Sequence, residues 1–255
     1  MSILPKLELS ESQIKAVRNH LVNFEKSLSD SEKTLCRTVA PLTMLPPSRV
    51  IDAYHSARQA TLRYPSASIV EFGVFSGGGL ISLAYGAVST NTEFIGNIVG
   101  FDTFEGHVVR PDEDEIDLHG RQQSQVFDEL VGSGRKWAAC SLDQVKRNFT
   151  VAQELLEVKL RCELVKGDAC ETASSISQFC ESVSLLRLDM DWYAPTIAAL
   201  KAVSPILARN AIVIIDDYGH HSGVRRAVDS FFSDFHRRYD YVMVDYSCKR
   251  IQLLD

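Results

Sequence analysis

The chain has 255 residues, which suits one α/β domain with an appendage, or at most two small domains. Hydrophobic residues make up 45%, enough for a proper core. The net charge of −6 argues against a nucleic-acid binder, because neutralising phosphate needs clustered Lys and Arg. No uninterrupted run of about 18 apolar residues is present, so no transmembrane helix and no membrane partner are expected. Met1 to Lys6 lack the apolar stretch and small-residue cleavage site of a signal peptide. The six cysteines, Cys36, Cys140, Cys162, Cys170, Cys180 and Cys248, form no C-x-x-C pair. Scattered thiols in a chain this long fit a reducing cytoplasm and mostly buried packing roles.

Residues 1–65 read as helices. Ser10 and Gln13 form a capping box, Leu9 staples to Ile14, and Ile14, Val17, Leu21 and Phe24 follow at helical spacing. Pro46-Pro47 marks a break, with Pro47 suited to a first helical turn. Val50, Ile51, Tyr54 and Leu62 then give one apolar face. From Ser66 the pattern alternates strand and helix, which points to a parallel sheet. The expected strands are Ile69–Phe72, Ile98–Phe101, Cys162–Val165, Val183–Leu188 and Ala211–Ile215. The expected helices are Leu80–Val88, Ser141–Leu156, Thr172–Cys180, one opened by Pro195, and one carrying the stripe Val224, Ala227, Val228, Phe231, Phe232 and Phe235. Tyr241–Tyr246 and Arg250–Leu254 are close enough to be an antiparallel edge pair. Residues 105–135 are polar and irregular, and the run from Asp112 to Asp117 reads as a solvated lid or as a flap over a substrate.

Acidic residues cluster at strand ends. Leu185–Leu188 runs into Asp189-Met190-Asp191, and Ala211–Ile215 runs into Asp216-Asp217. In an open α/β sheet ligands bind outside the carboxyl ends of the strands, so these carboxylates converge. Convergent carboxylates repel unless a cation or proton sits among them, and all-oxygen ligands favour Mg²⁺. An acidic turn before a helix is the plainer alternative. The first strand leads into Glu71-Phe72-Gly73-Val74-Phe75-Ser76-Gly77-Gly78-Gly79. Such a glycine turn lets a ligand approach the backbone at a helix N-terminus, and Glu71 offers a carboxylate to a positive ligand. Asp102, after the second strand, is placed to hold a ribose, or to cap a helix. Asp168 is similarly placed for an adenine, or for a turn.

Taken together, Leu42-Thr43-Met44-Leu45, Val70–Val74, Gly100-Phe101-Asp102-Thr103-Phe104-Glu105-Gly106, Leu186–Tyr193 and Ile214–His220 resemble the class I S-adenosylmethionine-dependent methyltransferases. The resemblance is specific to the macrocin O-methyltransferase (TylF/MycF-like) family and spans roughly residues 40–245. It implies a Rossmann-like, mostly parallel seven-stranded sheet with an antiparallel edge. A helical extension or lid over 1–65 would precede a methyltransferase domain over 66–255, with a lid loop at 105–135. The implied activity is Mg²⁺-dependent O-methylation of a hydroxylated small molecule, such as a sugar-bearing secondary metabolite. The residues expected around S-adenosylmethionine are Thr43, Met44, Glu71, Gly73, Phe75, Asp102, Thr103, Phe104, Ser141 and Asp168. Asp189, Asp216 and Asp217 would hold Mg²⁺, and the N-terminal helices would cover the site or build a homo-oligomer contact. Departures lie where the acceptor should bind. Met190 replaces the usual Gly, His107-Val108 replaces Leu-Pro, and the C-terminus lacks an aromatic-rich ending.

An aliphatic hydroxyl attacks poorly near neutral pH, and coordination to a cation lowers its pKa. Asp191 and His220 are the candidate bases, beside Asp189 of the metal cluster, while His221 is expected to be exposed. Trp192 and Tyr193 either wall the acceptor pocket or pack. Two other readings remain: a metal-dependent glycosyltransferase using Asp189-x-Asp191, and a non-catalytic module on the same fold.

Overall fold

Five apolar runs line up side by side and fix the architecture. In the computed structural model, which describes residues 24–89 and 93–254, the strands are β1 (Ser68–Phe72), β2 (Ile98–Asp102), β3 (Glu163–Lys166), β4 (Val183–Leu188), β5 (Leu207–Ile215), β6 (Tyr239–Met243) and β7 (Lys249–Leu253). They form a single sheet in the order β3-β2-β1-β4-β5-β7-β6. The first five are parallel, and β7 runs antiparallel between β5 and β6. This is the expected seven-stranded α/β sheet with an antiparallel edge. β1 and β4 are buried at every residue because helices cover both faces, which explains their unbroken apolar runs. Chain order reverses at the β1–β4 neighbours, and there the carboxyl ends open a crevice.

Alternate residues of each strand serve opposite faces. Ile69, Leu185, Ile212 and Ile214 pack with Leu35, Val50, Tyr54, Leu80 and Phe149. These come from α1 (Asp30–Val39), α2 (Pro47–Arg63), α3 (Gly78–Val88) and α5 (Leu142–Leu156). Val70, Phe72, Leu186, Leu188 and Val213 pack on the other face with Leu200, Val224, Val228 and Phe232. α4 is Gln123–Gly132, α6 is Ala169–Thr172, α7 is Tyr193–Val203 and α8 is Ser222–Ser233. Ser29 and Glu32 cap α1 reciprocally, and Pro47 is the first residue of α2.

Several expectations need correction. Residues 105–135 are not an irregular loop, because they contain α4, whose Val126, Phe127 and Leu130 are half-buried. Thr172–Cys180 is not one helix; α6 tightens into a 3₁₀ turn over Ala173–Gln178. Leu62 is 58% exposed and off the apolar face of α2. Phe235 lies beyond the end of α8. Only Cys180 and Cys248 are buried, Cys170 is exposed, and all six thiols are free. The Ser10–Gln13 cap, the Leu9 staple and the stripe Ile14, Val17 and Leu21 lie outside the described residues. Among the described residues no helix is long and apolar enough to cross a membrane.

Candidate active site

The glycine turn after β1 is shaped by close approach. Gly73 has φ of 88°, and a side chain there would run into the carbonyl of Asp189 at the end of β4. The turn is tied to β2 through Asp102. Its Oδ2 accepts hydrogen bonds from the Val74 and Phe75 amides at 2.7 and 2.9 Å. Its Oδ1 accepts from the Phe104 amide at 2.6 Å and from the Thr103 hydroxyl at 3.4 Å. Phe75 and Phe104 both take left-handed backbone, with φ of 50° and 53°. Asp102 therefore organises two loops, and its oxygens already serve protein donors.

The remaining expected cofactor residues spread around this turn. Thr43 packs against Gly78 at the start of α3, where a side chain on the glycine would meet it. Met44 beside it is 63% exposed. Ser141 caps α5 by accepting from the Gln144 amide, and Asp168 caps α6 by accepting from the Cys170 amide. Phe104, Glu105, Ser141, Leu142 and Lys166 line an open cleft of 730 Å³.

Glu71 does not point toward a ligand. It is fully buried on the α2–α3 side of the sheet and ion-pairs with Arg187 of β4, its register partner. Burial pushes the Glu71 carboxyl up to about 8 against the pull of Arg187, and Oε2 has no hydrogen-bond partner. Arg187 also reaches Asp189 Oδ2 at 2.9 Å and Asp216 Oδ1 at 2.8 Å. Arg49 of α2 adds a second guanidinium, 2.7 Å from Asp216 Oδ2 and 2.6 Å from Asp245. Neither arginine stands out in the sequence.

The expected metal carboxylates do converge. Asp189, Asp216 and Asp217 each offer an oxygen within 4.8 Å of the others. Burial and the Asp216 charge push Asp189 up to about 6. Burial and the charges of Asp191, Asp189 and Asp216 raise Asp217 well above the usual carboxylate range. Asp217 Oδ2 is buried with no hydrogen-bond partner. An orphaned oxygen among mutually repelling carboxylates fits a hard divalent cation. Asp216 is held by two guanidiniums, yet a carboxylate has further lone pairs to share.

Asp191 lies just past β4 with φ of 64°, so it is not the next residue of an extended strand. Its Oδ2 accepts from His107 Nε2 at 2.9 Å, and its Oδ1 lies 3.6 Å from His221 Nε2. Against burial, the hydrogen bond from His107 and the nearby His221 hold its carboxyl low. The two histidines that follow Asp217 face different ways. The amides of His220 and His221 both bond to the Asp217 carbonyl, and this tight turn sends His221 inward. His220 instead faces Tyr246, with Nδ1 3.3 Å from its hydroxyl. His221, expected to be exposed, is largely buried.

The acidic run is solvated only in part: Asp112, Glu113 and Asp114 are exposed, and the other two acids are not. Glu115 is 2% and Asp117 4% exposed. Glu115 accepts from the Tyr193 amide at 3.0 Å, and Asp117 accepts from the His119 and Arg121 amides. Ile116 and Ser222 exchange hydrogen bonds. Trp192 is buried and stacks on His107, with ring centroids 4.1 Å apart.

A profile of the family described as macrocin O-methyltransferase (TylF) matches residues 9–251. The chain belongs to this family. It is an S-adenosylmethionine-dependent O-methyltransferase. That membership sets aside the glycosyltransferase and the non-catalytic module. Among solved structures, the O-methyltransferase NovP is 20% identical with a TM-score of 0.67, covering 84% of this chain and 83% of NovP. The calicheamicin methyltransferase CalS11 is 21% identical with a TM-score of 0.62, covering 96% and 94%. The methyltransferase PaMTH1 of Podospora anserina, solved with S-adenosylhomocysteine, is 15% identical with a TM-score of 0.57 over the whole of both chains. These likenesses share the fold. No curated protein matches the sequence.

Within this methyltransferase fold, sequence reading gave no role to Arg49, Arg187, His107 or His221. His107 carried a usable signal, since it replaces an apolar residue of the family pattern beside Gly106.

Proposed function

We propose that the enzyme methylates a hydroxyl of a sugar or polyol-bearing small molecule, with Mg²⁺ held by Asp189, Asp216 and Asp217. The observation that carries this reading is the orphaned Oδ2 of Asp217 inside a buried cluster of carboxylates. CalS11 is described as a TDP-rhamnose 3′-O-methyltransferase, which favours a nucleotide sugar as acceptor class.

S-adenosylmethionine supplies a methyl group on a sulfonium. That methyl would pass to the acceptor oxygen with S-adenosylhomocysteine as the leaving group, while the hydroxyl proton would pass to a nearby base. When bound, the divalent cation lowers the pKa of a hydroxyl that coordinates it. The chain's own residues do the rest. The glycine turn at Gly73, packed closely on the end of β4, would border the bound cofactor. Asp102 holds the turn and the Thr103–Phe104 loop in place for it. Asp191, whose Oδ2 is bonded to His107 and whose Oδ1 lies 3.6 Å from His221 Nε2, is the carboxylate placed nearest to receive the acceptor's proton. Trp192 and the 107–121 segment wall the site against water.

The test incubates the enzyme with S-adenosylmethionine and a panel of nucleotide sugars and catechols, with and without EDTA. Release of S-adenosylhomocysteine with a nucleotide sugar, abolished by EDTA and restored by Mg²⁺, is expected. Turnover undiminished by EDTA would contradict the metal. Turnover restricted to catechols would contradict the sugar.

A further inference from the structure

Asp217 belongs to two groups of ligand atoms. One is the all-oxygen group with Asp189 and Asp216. The other joins Asp217 to Asp191 and the His221 ring, whose ligand atoms also lie within 4.8 Å of one another. This second group carries an imidazole nitrogen, and that changes which ions it suits.

The chain holds the second group in place. His107 donates from Nε2 to Asp191 Oδ2 at 2.9 Å, as the groups that orient metal-binding carboxylates do, which leaves Oδ1 for another partner. Asp191 Oδ1 and His221 Nε2 stand 3.6 Å apart. That is too long for a hydrogen bond. It is close to the roughly 3.4 Å between two ligand atoms that share a tetrahedral ion at about 2.1 Å. His221 is fixed through its backbone, because its amide bonds to the Asp217 carbonyl at 3.0 Å and it forms a β-bridge with Asp117. Asp217 Oδ2 and His221 Nδ1 are both buried, and neither has a hydrogen-bond partner among the described residues. Buried polar atoms without partners are rare, and two in one group of three side chains point to a ligand. A neutral imidazole presents one bare nitrogen, so the ring can ligate beside the carboxylates.

We propose that Asp191, Asp217 and His221 form a second cation position, adjoining the all-oxygen group through Asp217, that takes a transition ion such as Zn²⁺ or Co²⁺. The proposal deepens the metal reading above and rests on it only in sharing Asp217. Imidazole suits Zn²⁺ and its first-row neighbours, whereas Mg²⁺ keeps to oxygen ligands and water. Three protein ligands also leave a fourth tetrahedral position open to water or another small ligand. An ion held there would occupy Asp191 Oδ1, so it is a displaceable ion beside the transfer machinery rather than a member of it.

The test needs no acceptor. Zn²⁺ and Mg²⁺ are titrated separately by calorimetry into the intact protein and into His221→Gln, His220→Gln and Asp216→Asn, and Co²⁺ binding is followed by visible absorption. His221→Gln is expected to weaken Zn²⁺ by at least about tenfold and to abolish the absorption of nitrogen-ligated Co²⁺. Its Mg²⁺ affinity should stay within about twofold of the parent. Asp216→Asn should do the opposite, weakening Mg²⁺ and sparing Zn²⁺. His220→Gln, which alters the neighbouring ring, should change neither. Zn²⁺ affinity that is the same in parent and His221→Gln, or that falls with His220→Gln or Asp216→Asn instead, would overturn the proposal, as would no Zn²⁺ binding by the parent. His221→Asn repeats the test if the glutamine variant does not fold. A parent that binds Zn²⁺ through His221 but no Mg²⁺ would sink the Mg²⁺ reading and leave this second position standing.

Discussion

The two halves of the crevice are built on opposite electrostatic plans. At the ends of β1 and β2 the groups around the glycine turn are satisfied from within, although Glu71 Oε2 on the α2–α3 side of the sheet is not. Asp102 takes four protein donors, and Ser141 and Asp168 cap their helices. At the ends of β4 and β5 the carboxylates crowd together, and Asp217 Oδ2 has no partner. The first half is a finished cradle that needs only shape and backbone access. The second is left short of positive charge, which is how a protein keeps a place for a cation. Arg187 joins the halves, because it bonds to Glu71 under the cradle and to Asp189 and Asp216 under the cluster.

The sharpest way to break this contrast is Arg187→Met. It leaves three carboxylates without their shared guanidinium, and removing one partner of a buried ion pair costs about 3–5 kcal/mol. Chemical denaturation should show a loss of that size, partly recovered by Mg²⁺. A loss near zero would mean that the cluster does not depend on Arg187.

Gly73→Ala strikes the cradle instead. The backbone at φ of 88° disfavours any side chain, and the new methyl would collide with the Asp189 carbonyl. Positive φ alone costs about 1–3 kcal/mol. S-adenosylhomocysteine affinity should fall more than Mg²⁺ affinity, and calorimetry with each ligand reads the two separately.

The third contrast is a pH dependence at Glu71. Its folded pKa is raised from 4.5 to about 8 by burial, so the folded protein holds this proton more tightly than the unfolded chain. The stability this proton gives is fully present below 4.5 and is lost as pH rises through about 8. The stability of the parent relative to Glu71→Gln should therefore decline across that window in thermal melts. A gap that does not change with pH would show that Glu71 stays ionised beside Arg187.

Much of this was legible in sequence, for reasons that mark where it stops. β1, β4 and β5 read clearly because burial on both faces demands uninterrupted apolar residues, and Gly73 read clearly because only glycine fits its turn. The convergence of Asp189, Asp216 and Asp217 followed from strand ends. Arg187 was hidden because its partners Glu71 and Asp216 lie on other strands, 116 and 29 residues away. His220 and His221 are adjacent on a turn, and composition cannot say which ring turns inward. α4 was mistaken for irregular chain because its few apolar residues meet Trp192 rather than the main core. The acidic run looked solvated because its acceptors, Glu115 and Asp117, serve backbone amides rather than apolar neighbours.

The central claim is that the half-crevice at β4 and β5 is completed by a divalent cation. Calorimetric titration of Mg²⁺ into the protein and into Asp217→Asn, each preloaded with S-adenosylhomocysteine, tests it most directly. The expected result is one Mg²⁺ per chain in the parent and none in the variant, with S-adenosylhomocysteine affinity the same in both. Equal Mg²⁺ binding by parent and variant, or none by either, would contradict it.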